Sequence, residues 1–146
     1  MTRARIWNGA SAAGSYCSPM THRGIGFQNL VVWKRSHQIV LRVYALTRLF
    51  PPEERFGLAS QLRRAAVSIT SNIAEGRSRA ARGSYRALVD VALGSAGEVY
   101  YQLLLAQDLG YIHENDRTPL AAELLEVRKM LGALRRTLGS PAPDDA

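Results

Sequence analysis

Four stretches of the chain carry apolar residues at alternating intervals of three and four, and this heptad pattern constrains the fold more than any other feature. Such spacing is typical of helices that pack along one face. The stripes are Val32, Ser36, Ile39, Val43, Leu46 and Phe50; Ala59, Leu62, Ala66, Ile69 and Ile73; Tyr85, Val89, Ala92, Ala96, Val99, Leu103 and Ala106; and Leu120, Leu124, Val127, Leu131, Leu134 and Leu138. The pattern therefore predicts four amphipathic helices.

Proline, glycine and a capping residue set the expected helix ends. Asn29 is suited to cap the first helix, and the Pro51–Pro52 pair stops it. Gly76 is suited to a left-handed cap that ends the second helix, and Pro119 to the first turn of the fourth. The predicted helices span residues 30–50, 58–76, 81–110 and 119–138.

The length and composition fit one domain with its own core. The chain has 146 residues, 47% of them hydrophobic, which suffices for a single core without a metal or disulfide. We predict an all-α, antiparallel up-down-up-down four-helix bundle over residues 27–138. Residues 1–26 and 139–146 are expected to be a disordered leader and tail, and Met20 is an alternative start. No apolar run reaches the length of a membrane span, so a cytoplasmic protein is expected.

Charge is distributed unevenly around a net value of +7. From Arg23 to Arg86 there are 12 Lys/Arg and 3 Asp/Glu, whereas from Ala87 to Ala146 there are 5 and 9. The basic half is a candidate surface for a polyanion or for the acidic half of a neighbouring copy. A solvated basic face without a specific partner is the third interpretation of the same pattern.

An arginine-rich segment, residues 77–86, follows the second predicted helix. It has no intervening acid and lies around the start of a helix, where backbone amides favour anions. Tyr85 is suited to stacking on a base, although its place in an apolar stripe favours the core. Binding through these cations would be directed to the RNA or DNA backbone and sensitive to salt. The predicted contacts are Arg63, Arg64, Arg77, Arg79, Arg82 and Arg86.

The second and third predicted helices each carry a polar stripe beside the apolar one. Adjacent helices can bring these stripes together in a hydrogen-bonded network, with Arg64 against Glu98, that fixes helix register or a subunit contact. Glu75 and Glu98 as a catalytic acid and base is the alternative. The predicted network comprises Gln61, Arg64, Ser68, Asn72, Glu75, Ser95, Glu98 and Gln102.

Catalytic and metal-binding motifs are absent from the sequence. His22, His37 and His113 have no second ligand at metal-binding spacing, and no Glu-x-x-His motif occurs. Ser60, Ser68, Ser71 and Ser95 have no histidine at helical spacing that could activate them, and there is no Gly-rich phosphate loop. We therefore expect no enzymatic activity, no metal and no cofactor.

Several blocks of sequence resemble a known family. They are NLVVWKRS at residues 29–36, FPPEERFGLASQLRRAAVSITSNIAEG at 50–76, GSAGEVYYQL at 94–103 and DLGYI at 108–112. The chain is similar to bacterial four-helix-bundle proteins encoded in intervening sequences of large-subunit ribosomal RNA genes. The resemblance implies a homopentameric barrel related to the accessory protein of diversity-generating retroelements, which binds nucleic acid and works with a reverse transcriptase.

Two functions are therefore predicted. The first is a non-enzymatic, oligomeric accessory protein that binds the backbone of RNA or DNA. The second is a protein–protein interaction scaffold without a nucleic-acid ligand, whose basic face meets an acidic protein. In both cases we expect a homo-oligomer, and the resemblance implies that it is a pentamer. We also expect an additional partner, which is a reverse transcriptase or another protein.

Overall fold

A computed structural model describes residues 26–139 of the chain. The regular secondary structure of these residues is entirely helical, with four α-helices and no strand, and the predicted four-helix fold is confirmed. The helices are α1 (Val31–Thr47), α2 (Leu58–Ser78), α3 (Arg82–Asp108) and α4 (Glu114–Thr137). The predicted leader and tail lie outside the described residues, apart from Gly26 and Gly139.

Each helix packs against two others, in the cyclic order α1, α2, α3, α4. The α2–α3 pair makes the most extensive contact, and no Cα atoms of helices on opposite corners lie within 8 Å of each other. Short connections join consecutive helices, so neighbours run antiparallel. The centre of the bundle is filled by fully buried side chains from all four helices, among them Ile39, Leu62, Val99 and Leu124.

The heptad stripes form this core. Every stripe residue of α1, α2 and α3 is buried, including the polar Ser36, whose hydroxyl donates to the carbonyl of Val32 at 2.7 Å. In α4 the stripe is buried as far as Leu131, whereas Leu134 and Leu138 are half-buried. Burial of one face of each helix supplies most of the stability of such a bundle.

The predicted ends of α1 need correction. Asn29 does not cap the helix: it lies in a 3₁₀ turn at Phe27–Asn29, and the helix begins after Leu30 without a side-chain cap. The helix ends at Thr47, before Phe50. The Thr47 hydroxyl bonds back to the carbonyl of Val43 at 2.8 Å, and Phe50 is buried although it lies beyond the helix.

Gly76 is not a left-handed cap, because α2 continues through it to Ser78. The residue is buried at the α2–α3 corner. A Cβ atom built there would lie 2.7 Å from Cε2 of Tyr85 and closer still to Cδ2. Gly76 therefore permits the Tyr85 ring to pack directly on the α2 backbone.

The third helix was predicted to end at Gly110, and α3 ends at Asp108, shortly before it. The φ of Gly110 is 77°, and its amide donates to the carbonyl of Gln107 at 2.9 Å. The amide of Tyr111 donates to the carbonyl of Ala106 at 2.9 Å. This pair of bonds is a Schellman motif, which requires the left-handed conformation that glycine adopts readily.

The start of α4 was predicted too late. The helix begins at Glu114, so Pro119 lies inside it. Glu114 and Asp116 lie in the first turn, where carboxylates interact favourably with the helix dipole. Pro119 leaves the carbonyl of Asn115 without a helical donor, but Asn115 is exposed and water can replace that donor.

Candidate nucleic-acid interface

Three members of the predicted polar network lie together between α2 and α3. The hydroxyl oxygens of Ser68 and Ser95 are 2.8 Å apart in a hydrogen bond that joins the two helices. The side-chain amide of Asn72 donates to the carbonyl of Ser68 at 2.7 Å and to its hydroxyl at 3.1 Å. Because Ser95 is buried, this hydrogen bond satisfies a polar group at the closest helix pair of the bundle.

The other network residues are not connected to this cluster. Oε1 of Gln102 is buried, with no hydrogen-bond partner among residues 26–139. Gln61, Arg64 and Glu98 are exposed, and no Arg64–Glu98 ion pair forms within the described residues. Glu75 is paired with Arg79 on the surface instead of with α3.

Two of the predicted nucleic-acid contacts bind the end of α4. Nη2 of Arg82 donates to the carbonyl of Thr137 at 2.7 Å, and Nη1 of Arg86 donates to the carbonyl of Gly139. Arginine at the carboxyl end of a helix satisfies unpaired carbonyls and opposes the negative end of the dipole. Arg82 and Arg86 thus have a structural role in the described chain.

Arg77 lies beside the buried ring of Tyr85. Burial raises the pKa of the Tyr85 phenol above its ordinary value, and the positive charge of Arg77 opposes that rise. Tyr85 is in the core, so it cannot stack on a base. Since Arg79 is partly neutralised by Glu75, the arginine segment is less available to a polyanion than the sequence indicates.

Arg63 and Arg64 lie far from that segment, on the first turns of α2. Arg63 and Arg77 are 14 residues apart on α2, which is about 21 Å along the helix. The predicted interface is therefore divided into two regions. One lies at the α2–α3 corner around Arg77 and the other beside α1 around Arg63.

The second region forms an open cleft of about 580 Å³ between α1, the following turn and α2. Its lining includes three arginines, two aromatic rings, several hydroxyls and no carboxylate. The lining residues are Tyr44, Arg55, Phe56, Ser60, Arg63, Arg64, Val67, Ser68 and Ser71. We call this region the α1–α2 cleft.

The guanidinium of Arg63 is held in place by α1. Its Nε donates to the hydroxyl of Thr47 at 2.7 Å, and its carbon lies 4.8 Å from the centroid of the Tyr44 ring. The Thr47 hydroxyl in turn donates to the carbonyl of Val43. A guanidinium fixed in this way loses less conformational entropy when it binds an anion.

Sequence reasoning missed Tyr44, Arg55 and Phe56. The guanidinium carbon of Arg55 lies 5.3 Å from the centroid of the Phe56 ring, and Phe56 is 88% exposed. An Arg-Phe pair in a turn, outside every heptad stripe, was the available signal, because an aromatic residue without a core position must lie on the surface. Tyr44 gave no comparable signal.

Two further properties of residues 26–139 concern metal binding and membranes. These residues contain no cluster of His, Cys, Asp and Glu that could hold a metal ion. Among their helices, none combines the length and apolar character that a membrane crossing needs. The α1–α2 cleft is an open concave surface in this part of the chain.

The fold places this chain among four-helix-bundle proteins, with an arginine-lined cleft on one side. The model of the 23S rRNA-intervening sequence protein family matches residues 28–133. The chain therefore belongs to that family, as the sequence resemblance predicted.

A solved structure supports the same assignment. The structure is a protein of unknown function from the S23 ribosomal protein family of Bacteroides thetaiotaomicron. It aligns with a TM-score of 0.68 and 25% sequence identity, over 73% of this chain and 96% of the other. A search among curated proteins found no match.

Proposed function

We propose that this protein is a non-enzymatic, oligomeric protein of the bacterial cytoplasm that binds the backbone of RNA or DNA. The observation that carries the proposal is the α1–α2 cleft, where three arginines line one surface and no carboxylate competes with a phosphate. Arg63 is oriented by Tyr44 and Thr47 before any ligand binds. Guanidinium groups match phosphate oxygens in geometry as well as in charge.

The salt dependence of binding tests this proposal. Fluorescence anisotropy with mixed-sequence RNA and DNA should show affinity that falls steeply as salt rises, because each neutralised phosphate releases counterions. Removing one phosphate contact by Arg63→Gln should reduce the slope of log K against log[salt] by about 0.7–0.9. An absence of binding at about 50 mM salt, where such contacts are strong, would refute it.

Arg128→Gln is the matched control. Arg128 is exposed on α4, and it does not line the cleft. Arg128→Gln removes one positive charge from the protein, as Arg63→Gln does. Equal effects of the two substitutions would mean that net charge alone, and not the cleft, determines binding.

An interaction scaffold is the second candidate, and the outer face of α3 favours it. Val91, Tyr101 and Leu104 are exposed apolar residues on this face, and such a row on a helix is typical of contact with another protein. We propose two partners for this face. One is another copy of this chain, in the pentamer that the family resemblance implies, and the other is a reverse transcriptase or another protein.

One measurement separates the two candidates. Size-exclusion light scattering, with absorbance at 260 and 280 nm, reports assembly and carried nucleic acid together for protein purified without nuclease. An oligomer with nucleic acid supports the first candidate. An oligomer without nucleic acid, which also fails to bind added RNA and DNA, supports the scaffold.

A further inference from the structure

Phe56 is the most exposed large apolar side chain of the described residues, at 88%. It lies in the turn before α2, beyond the 3₁₀ turn at Pro52–Glu54. The core makes no use of its ring, while Arg55 approaches it at 5.3 Å. An exposed aromatic ring beside a guanidinium offers a flat surface on which another π system can stack.

The ring and the oriented guanidinium of Arg63 line the same cleft. One therefore supplies a stacking surface and the other a phosphate contact within a single concave site. Ser60 and Ser71 add hydroxyls that can donate to phosphate or to sugar oxygens. The cleft, at about 580 Å³, is open to solvent along one side and wide enough for a nucleotide to lie in it.

This combination distinguishes between forms of nucleic acid. Bases inside a duplex stack on each other and present only their edges in the grooves. An aromatic side chain stacks on an unpaired base without disrupting other contacts, whereas insertion into a duplex must first unstack a base step. Phosphate contacts from arginine alone would not favour single strands in this way.

We propose that the α1–α2 cleft binds single-stranded nucleic acid, with one unpaired base stacked on Phe56 and the adjacent phosphate held by Arg63. This inference rests on the proposed function and adds the form of the ligand. Glu54, the nearest carboxylate before the Arg55–Phe56 pair, does not line the cleft. It accepts hydrogen bonds from the amide of Leu58 at 2.8 Å and the hydroxyl of Tyr111 at 3.1 Å.

The test compares a mixed-sequence single strand with the duplex of the same sequence, in the full-length protein. Binding to the single strand should be at least about tenfold tighter. Phe56→Ala and Phe56→Leu should each weaken it by about 5- to 100-fold, the range for loss of one stacked base, with duplex binding unchanged. Phe56→Trp should restore single-strand binding, and the fluorescence of the new indole should be quenched by the oligonucleotide.

The result for Arg63→Gln separates failure of this inference from failure of the proposed function. If Arg63→Gln weakens binding while Phe56→Ala does not, the stacking inference is wrong and backbone binding stands. If the wild-type protein binds neither form, both proposals are wrong. If Phe56→Ala lowers the mass measured by light scattering, Phe56 is a subunit contact and the inference is overturned.

Discussion

Gly76 shows how one residue can have a different role from the one its sequence context suggests. Its position before Arg77 and Ser78 is typical of a helix cap, yet its backbone is helical and it is buried. The ring of Tyr85, from the first turns of α3, occupies the space that a Cβ atom would need. Gly76 therefore permits close packing of α2 against α3, and it does not end the helix.

Gly76→Ala is expected to destabilise the protein by about 1–3 kcal/mol, the usual cost of overpacking a core site. The cause is the contact of the added methyl group with Tyr85, a ring that is itself buried. Urea unfolding measures the change. Gly132→Ala is the control, because its Cβ would meet only Arg136, at 3.7 Å, and should stabilise α4 by about 0.5–1 kcal/mol. A stabilising effect of Gly76→Ala would contradict this account.

Tyr85 also makes the free energy of unfolding depend on pH in the alkaline range. Burial raises the pKa of its phenol above the ordinary value of 10.0, with Arg77 opposing the rise. A group with a raised pKa in the folded state stabilises the protein below its unfolded pKa, and this contribution is lost as pH rises through the folded pKa. The free energy of unfolding should therefore fall above about pH 10.

Tyr85→Phe should reduce that alkaline loss of stability, measured by urea unfolding between about pH 8 and pH 11. Arg77→Gln should move the tyrosinate absorbance of Tyr85 to higher pH, because the opposing charge is removed. Tyr44→Phe, at an exposed phenol on α1, is the control for loss of a hydroxyl. An alkaline stability profile unchanged by Tyr85→Phe would contradict the assignment.

At the scale of the helix, the apolar stripes were predictable and several ends were not. The stripes follow from helical periodicity. Each supplies buried side chains to the bundle centre, among them Ile39, Leu62, Val99 and Leu124. Helix ends depend on tertiary contacts that periodicity does not encode. Pro119 is tolerated inside α4 because the carbonyl it leaves unpaired is exposed, and the sequence alone does not reveal that exposure.

The candidate site was predictable only in part for a related reason. Arg63 and Arg64 line the cleft, but Arg82 and Arg86 bind carbonyls at the end of α4. Their bonds join residues more than 50 positions apart in the chain. A run of arginines in sequence shows its charge, but the fold decides which guanidinium groups are used internally.

The start of α2 provides a prediction at this scale. Its N-cap, Gly57, has no side chain, and the amide of Leu58 is instead bonded by the carboxylate of Glu54 at 2.8 Å. Glu54→Ala should lower the free energy of unfolding by about 1 kcal/mol, as loss of a cap does. Glu53→Ala, an exposed neighbour in the same turn, is the control. Equal stability losses in the two variants would contradict a specific capping role.

A variant of Tyr111 distinguishes between the two hydrogen bonds that Glu54 accepts. Its hydroxyl donates to Oε1 of Glu54 at 3.1 Å, while its ring packs on Phe50. Tyr111→Phe keeps the ring and removes only the hydroxyl. A smaller loss for Tyr111→Phe than for Glu54→Ala is expected, because the former leaves the cap of α2 intact.

At the scale of the whole molecule, the outer face of α3 carries exposed apolar residues beside the charged Glu98. The inner stripe of α3 is buried, whereas Val91 and Tyr101 are 50% and 61% exposed. Gly94 and Glu98 lie between them at intervals of three and four, so the four positions form a second seam. Apart from its chain neighbours and the backbone of α3, no atom of the described chain comes within 4 Å of a Cβ built at Gly94, which leaves room for another helix to approach.

The proposed homo-oligomer should depend on this outer seam. Tyr101→Glu is expected to shift the mass measured by light scattering toward the 16.1 kDa of one chain, because a carboxylate is costly at a desolvated contact. Leu49→Glu is the control, since Leu49 is similarly exposed but lies after α1. Circular dichroism should show helical content unchanged in both variants. A wild-type mass of five chains that Tyr101→Glu leaves intact would move the subunit contact to another face, and a wild-type monomer would refute the oligomer itself.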